Sequence, residues 1–156
     1  NTGPMTVGNM GYRERLSYTA IGDHVNLASR LEGLNRHYGT SVLVSDFTRT
    51  QVADHFALRP IDLVAVKGKT NGVLVYELAG RTHDISDEKK IFLERFTQCF
   101  ELYRAGEWSQ ALDALQNLAG LYPDDQPTAI LRERCAGFIT NPPAADWNGV
   151  IAMSSK

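Results

Sequence analysis

The chain has 156 residues, of which 43% are hydrophobic and 22% are charged, and its formal net charge is −2. This composition is typical of a globular protein and excludes an intrinsically disordered one. No apolar run approaches the roughly 20 residues that a transmembrane helix requires. Nucleic acid is also disfavoured as a partner. Residues 1–80 carry eight basic and seven acidic side chains, and residues 81–156 carry eight and eleven, so no basic stripe is available to neutralise phosphates.

The first elements of the chain alternate between strand and helix signals. Residues 16–21 include Tyr, Thr and Ile and predict a strand that stops at Gly22. Apolar residues then recur at helical spacing until Gly39, which predicts a helix with a glycine at its end. Residues 41–45 predict a short buried strand.

The next elements complete a mixed pattern. A short helix is predicted to begin at Asp46, which would cap it, with Phe47 as one of its core contacts. Residues 57–66 and 72–78 then predict two strands joined as a hairpin. Strands and helices in this order indicate an α+β fold for the first half of the chain.

The second half of the chain reads as helical. Residues 80–87 are polar and have no period, so we interpret them as a linker. Helical periodicity then predicts three helices, at 88–104, 108–122 and 127–140. Four residues have spacings that resemble those of a tetratricopeptide helix pair: Gly106, Trp108, Ala111 and Pro123. So few helices cannot form an extended solenoid, and we interpret residues 88–156 as a small tetratricopeptide-like extension with a tail.

Residues 18–31 carry the main chemical signal. They predict a strand, a Gly-Asp turn and a helix that places Asn26 and Arg30 four residues apart on one face. A carboxamide beside a planar guanidinium can hydrogen-bond several oxygens of one phosphoryl group. Asp23 has a structural role in the first turn of this helix, where its carboxylate meets free backbone amides.

Four segments resemble, in order, motifs of the class III adenylate/guanylate cyclases. They are Asn-Thr-Gly-Pro at 1–4, Val-Gly-Asn-Met-Gly at 7–11, residues 18–31, and Val-Lys-Gly-Lys at 66–69. The resemblance implies that residues 1–79 are the carboxy-terminal half of a cyclase catalytic domain. The fold class implied is α+β: part of a ferredoxin-like cyclase domain, in which a sheet packs with helices, followed by the small all-α extension.

The resemblance also implies an activity, the conversion of ATP to cyclic AMP and pyrophosphate. In this family the residues that match Asn26 and Arg30 are catalytic, because they stabilise the transition state as the ribose 3′-hydroxyl attacks the α-phosphate. Thr19 matches the position that faces the purine and points to ATP. Lys67 matches a lysine on the β- and γ-phosphates, with Lys69 as the alternative.

The same resemblance implies a cofactor and partners. Family members bind Mg²⁺ or Mn²⁺ through two aspartates on strands that precede the Asn-Thr-Gly-Pro turn, and no residue of this chain matches them. We therefore expect a fragment that is inactive alone. We expect its parent protein to be cytoplasmic, or tethered to a membrane through upstream segments, and to form a homodimer across the active site.

Two other functions remain open at this stage. The chain could be a non-catalytic interaction module, in which the helical extension binds a protein partner and the first half is a cyclase remnant. It could also come from a guanylate cyclase.

Overall fold

A computed structural model of the chain describes residues 1–12, 15–65, 72–144 and 146–151. Its strands form two sheets. In the first, β1 (Thr6–Tyr12) and β2 (Arg15–Ile21) pair as an antiparallel hairpin with Thr6 opposite Ile21. The second has the order β3-β5-β4-β6 and consists of β3 (Leu43–Ser45), β4 (Phe56–Val64), β5 (Val73–Arg81) and β6 (Val150–Ile151). β3 and β4 run antiparallel to β5, and β6 runs parallel to β4.

Five helices lie in the described residues: α1 (Asp23–Tyr38), α2 (Asp46–Val52), α3 (Asp87–Arg104), α4 (Trp108–Leu121) and α5 (Gln126–Thr140). α1 ends at Gly39, whose φ of 64° is left-handed and suits glycine. α4 ends just before Pro123, which cannot continue a helix. None of these helices is long and apolar enough to cross a membrane.

The four-stranded sheet lies between two hydrophobic clusters. The first cluster joins α1 to one face of the sheet, and its members are Leu27, Leu31, Leu34, Tyr38, Leu43, Ile61, Val64, Val73 and Val75. The second is formed mainly by α3, α4 and α5, and its members are Phe92, Leu93, Phe96, Cys99, Phe100, Tyr103, Ala111, Leu115, Leu118, Leu131 and Cys135. Leu74 packs against the second cluster while its neighbours in β5 belong to the first, because successive strand residues face opposite sides. α1 and α3 therefore cover opposite faces of one sheet.

The structure confirms the α+β fold class with helices after it. The strand and helix predicted at 16–21 and before Gly39 are β2 and α1, and the predicted hairpin is β4 and β5. The three helices of the second half lie within two residues of their predicted bounds. β1 was not predicted, since its three glycine and asparagine residues have low strand propensity.

Several local predictions were wrong. Ser45 rather than Asp46 caps α2, because its hydroxyl accepts a hydrogen bond from the N–H of Thr48 at 3.4 Å. Phe47 is 40% exposed and does not belong to the core. The ends of the predicted linker at 80–87 are also regular structure, since β5 runs to Arg81 and α3 begins at Asp87.

Candidate active site

Asn26 and Arg30 lie on the exposed side of the first turns of α1. The helix follows Gly22, whose φ of 145° is rarely adopted by residues with a side chain. The carbonyl of Gly22 accepts a hydrogen bond from the N–H of Asn26 at 3.1 Å and so starts the helix. Leu27 and Leu31 follow Asn26 and Arg30 directly and are buried against the sheet. The structure therefore brings together the two side chains that the sequence pairs, one helical turn apart.

The guanidinium of Arg30 is directed to the end of β4. Its Nη1 donates a hydrogen bond to the carbonyl oxygen of Ala65, the residue that follows β4. This contact holds the arginine beside the point where the chain enters residues 66–71. Lys67 and Lys69 belong to that segment and lie outside the described residues.

Thr19 lies on β2, two residues before the strand ends and three residues before Gly22. Its side chain is exposed, and its cross-strand partner in β1 is Gly8. Directly opposite residues in an antiparallel pair face the same side of the sheet, and a Cβ at Gly8 would meet no atom within 4 Å. An open surface therefore adjoins the hydroxyl of Thr19, on the strand that leads into α1.

The Asn-Thr-Gly-Pro turn is attached to the start of α1. Asn1 donates from Nδ2 to the carbonyl of His24 at 2.8 Å and accepts from the hydroxyl of Ser45 at 2.5 Å. Gly3 lies against the His24 ring so closely that a Cβ there would be 2.2 Å from it. These contacts give the motif a structural role: it fixes the first turn of α1 against the strand that contains Ser45.

A buried carboxylate lies at the other end of α1. Asp62 of β4 has 0% exposure, accepts a hydrogen bond from the hydroxyl of Tyr38, and pairs with Nη1 of Arg134 at 2.6 Å. Burial and the carboxylate of Asp62 raise the pKa of the Tyr38 hydroxyl. Burial opposes the charge of Arg134, but the carboxylate outweighs it and raises the pKa of the guanidinium. These three side chains therefore form a charged group that joins α1, β4 and α5.

A second buried guanidinium joins the sheet to the start of α5. Arg59 of β4 is 2% exposed and contacts Oε2 of Glu77 at 2.5 Å and both carboxylate oxygens of Asp125, at 2.8 and 3.1 Å. It also lies over the rings of Phe92 and Phe96, with Cζ 5.0 and 4.7 Å from their centroids. Burial opposes ionisation of Asp125, but its hydrogen bonds and the charge of Arg59 outweigh burial and hold the pKa of the carboxyl below its ordinary value.

These two charged groups were not predicted from the sequence. A signal was present, since Arg59 and Asp62 lie in a strand whose other members are mostly apolar. A charged residue in a buried strand requires a partner. The sequence did not indicate which residues those partners are, because Asp125 and Arg134 are 66 and 72 positions away.

One groove among the described residues is separate from the candidate site. A groove of about 540 Å³ lies between β4 and α3 and is lined by Leu58, Lys90 and Glu94, among others. None of its lining residues belongs to β1, β2 or α1. Within the described part of the chain, no three His, Cys, Asp or Glu side chains lie close enough together to hold a metal ion.

Three curated proteins are similar to the chain. It is 36% identical over 139 residues, 86% of its length, to "Adenylate cyclase, terminal-differentiation specific" of Dictyostelium discoideum. It is 48% identical over 80 residues to "Adenylate cyclase 1" of Rhizobium meliloti, and 39% identical over 79 residues to "Adenylate cyclase" of Anabaena cylindrica; these matches cover 51% and 49% of the chain. The chain spans only 6%, 12% and 16% of the length of these three relatives.

A solved structure is also similar to the chain. The crystal structure of the adenylyl cyclase CyaB from P. aeruginosa is 35% identical, with a TM-score of 0.42, and the match covers 53% of this chain and 41% of that one. No family model matches the chain. The cyclase motifs on β2 and α1, together with the three curated relatives, show that the chain carries part of a class III cyclase domain.

Proposed function

We propose that the chain supplies the transition-state-stabilising half of an adenylate cyclase site, which converts ATP to cyclic AMP and pyrophosphate. The observation that carries this proposal is the placement of Asn26 and Arg30 on one exposed face of α1, with Arg30 directed to the end of β4. The names of the three curated relatives support the same reaction.

The proposed reaction is an intramolecular displacement at the α-phosphate. A bond forms between the ribose 3′-oxygen and the α-phosphorus, the bond from that phosphorus to the pyrophosphate oxygen breaks, and the proton of the 3′-hydroxyl is released to water. Negative charge shifts toward the leaving pyrophosphate. The guanidinium of Arg30 would offset the charge on the phosphoryl oxygens, and the carboxamide of Asn26 would orient the ribose and phosphate by hydrogen bonds.

The other proposed roles concern binding. Thr19 would contact adenine through its hydroxyl, which can accept a hydrogen bond from the amino group of the base or donate one to a ring nitrogen. Lys67 would bind the β- and γ-phosphates. We propose that residues 1–79 are the carboxy-terminal half of a cyclase domain and that a second subunit completes the site with the metal ligands, so that the chain alone is inactive.

Complementation tests this function. The chain is mixed with a class III cyclase subunit whose own catalytic Asn and Arg are replaced but whose metal-binding aspartates are intact, and cyclic AMP is measured with ATP and Mg²⁺. We expect the wild-type chain to restore activity and Arg30→Ala to lower kcat by about 10²-fold or more, because it removes an interaction made chiefly in the transition state. Asn26→Ala should act in the same direction.

The matched control is Arg36→Ala, which removes an exposed arginine from the last turn of the same helix. It should leave kcat unchanged. Equal rates for Arg30→Ala and Arg36→Ala would reject the catalytic role of Arg30. GTP in place of ATP tests the purine preference: faster product formation from GTP would favour a guanylate cyclase.

A further inference from the structure

α5 belongs to the helical half of the chain, yet it contacts the end of α1. Nε2 of Gln126 donates to the carbonyl of His37 at 2.6 Å. Ile130, one turn further along α5, packs against the core cluster of α1 and the sheet. Arg134, again one turn further, pairs with Asp62. Three residues at a helical spacing of four thus place one face of α5 against the α1 half of the molecule.

The buried charge of Asp62 makes the position of α5 important, because its salt-bridge partner, Arg134, lies on that helix. A carboxylate with 0% exposure is stable only when its charge is paired and its oxygens are hydrogen-bonded. Asp62 receives one hydrogen bond from its neighbour, from the N–H of Leu63 at 2.8 Å, and one from Tyr38. Its salt bridge is with Arg134 of α5. If α5 moves away, a buried negative charge loses that partner.

The same carboxylate is connected to the candidate active site by two routes. Tyr38 ends α1, and Arg30 lies eight residues earlier on the same helix, about 12 Å away at 1.5 Å per residue. Ala65, which accepts the hydrogen bond of Arg30, lies three residues after Asp62. Asp62 is therefore connected to both elements that meet in the Arg30–Ala65 hydrogen bond. It contacts α1 through Tyr38, and it is joined to the end of β4 through the backbone.

We infer that α5 is an integral part of the catalytic fold and that Arg134 is a positioning residue, which holds α1 and the end of β4 in the arrangement that aims Arg30. The role assigned to Arg30 rests on the proposed function. The packing of α5 on α1 does not, so the two can be tested separately. The helical half is accordingly a support for the cyclase half and not a separate appendage.

Hydrogen exchange on the full 156-residue chain tests the packing without any activity. In Arg134→Met, amide exchange near the end of α1, at residues 34–38, should accelerate on the order of 10²-fold, because the buried charge of Asp62 loses its partner. Arg132→Met is the matched control, since Arg132 is an exposed arginine on the same helix, and its exchange should match the wild type. Arg134→Lys keeps the positive charge and should recover part of the protection.

Two results of this experiment overturn the inference. One is wild-type exchange across α1 in Arg134→Met. The other is equal acceleration in Arg134→Met and Arg132→Met. If Arg134→Met does not fold, Tyr38→Phe replaces it, because this change removes only the hydroxyl that contacts Asp62. That variant should accelerate exchange at residues 34–38 and leave α4 unchanged, and wild-type exchange there would equally overturn the inference.

The complementation assay then tests positioning. Arg134→Met should lower kcat about 10-fold with little change in KM for ATP, and Arg134→Lys should recover part of it, whereas Arg132→Met should be unchanged. Wild-type kcat in Arg134→Met, in an assay where Arg30→Ala lowers kcat by about 10²-fold, would overturn the positioning role. Full activity of Arg30→Ala would instead count against the proposed function, and the exchange result would still decide whether α5 supports α1.

Discussion

Two glycines of the α1 region should respond in opposite directions to the same substitution. Gly39 follows the helix with a φ of 64°, and a Cβ there would be 2.7 Å from Oε1 of Gln126. Gly33 lies inside the helix, where a Cβ would meet no atom within 4 Å. Gly39→Ala should therefore destabilise the chain and displace Gln126, while Gly33→Ala should stabilise it.

The magnitudes follow from the backbone conformations. A left-handed conformation costs a residue with a Cβ about 1–2 kcal/mol, and the displaced Gln126 adds to that cost. An alanine in a helix interior is favoured over glycine by about 0.5–1 kcal/mol. At roughly 2–4 °C per kcal/mol for a chain of this size, the two variants should melt at least about 3 °C apart, on either side of the wild type.

Thermal unfolding followed by circular dichroism measures the difference in melting temperature, and urea unfolding measures both changes in stability as shifts of the midpoint at constant slope. Each variant serves as the control for the other, because both add one methyl group to the same region of the chain. An equal midpoint for the two variants, or a more stable Gly39→Ala, would refute the reasoning from φ and the Gln126 contact.

Two further predictions concern the buried charges. Arg59→Met should destabilise the chain by about 3–5 kcal/mol in urea unfolding, because it leaves two largely buried carboxylates unpaired. The control is Arg81→Met, which replaces an exposed arginine on the neighbouring strand and should stay within about 0.5 kcal/mol of the wild type. Asp125 has a lowered pKa in the folded chain. Its contribution to the free energy of unfolding is therefore present above its unfolded pKa and is lost as the pH falls below about 4. Asp125→Asn should flatten the acid side of the stability–pH profile, and an unchanged profile would contradict that pKa direction.

Much of the fold was predictable because its signals are local. The helical periodicity before Gly39, the glycine that ends α1, and the strand pair β4 and β5 all follow from residues close in the chain. The same holds for the pairing of Asn26 with Arg30, since their spacing within one helix fixes their relation. β1 has no such signal. It is a strand because it pairs with β2, and its glycines have low strand propensity.

The supporting residues of the site were not predictable for the opposite reason. The side chains that pair with Asp62 are 24 residues before it and 72 after it, and no period connects them. An isolated Asp in an apolar strand predicts that a partner exists. Only the packing of α5 on α1 identifies Arg134 as that partner. The tetratricopeptide-like spacing of the second half does not predict this packing either, because such repeats are defined by contacts between their own helices.

Asp125 has consequences for how such a chain can be recombined. Its Oδ2 accepts hydrogen bonds from the N–H and hydroxyl of Thr128, at 3.0 and 2.6 Å, and so starts α5, while both its oxygens bind Arg59 of the sheet. The side chain of Asp125 therefore caps the start of α5 and also binds Arg59, a strand residue 66 positions earlier. A chimera joined within residues 82–86 would take Asp125 and α5 from one relative and Arg59 from another. Such exchanges should succeed only between relatives whose residues on both sides of the junction can form this contact.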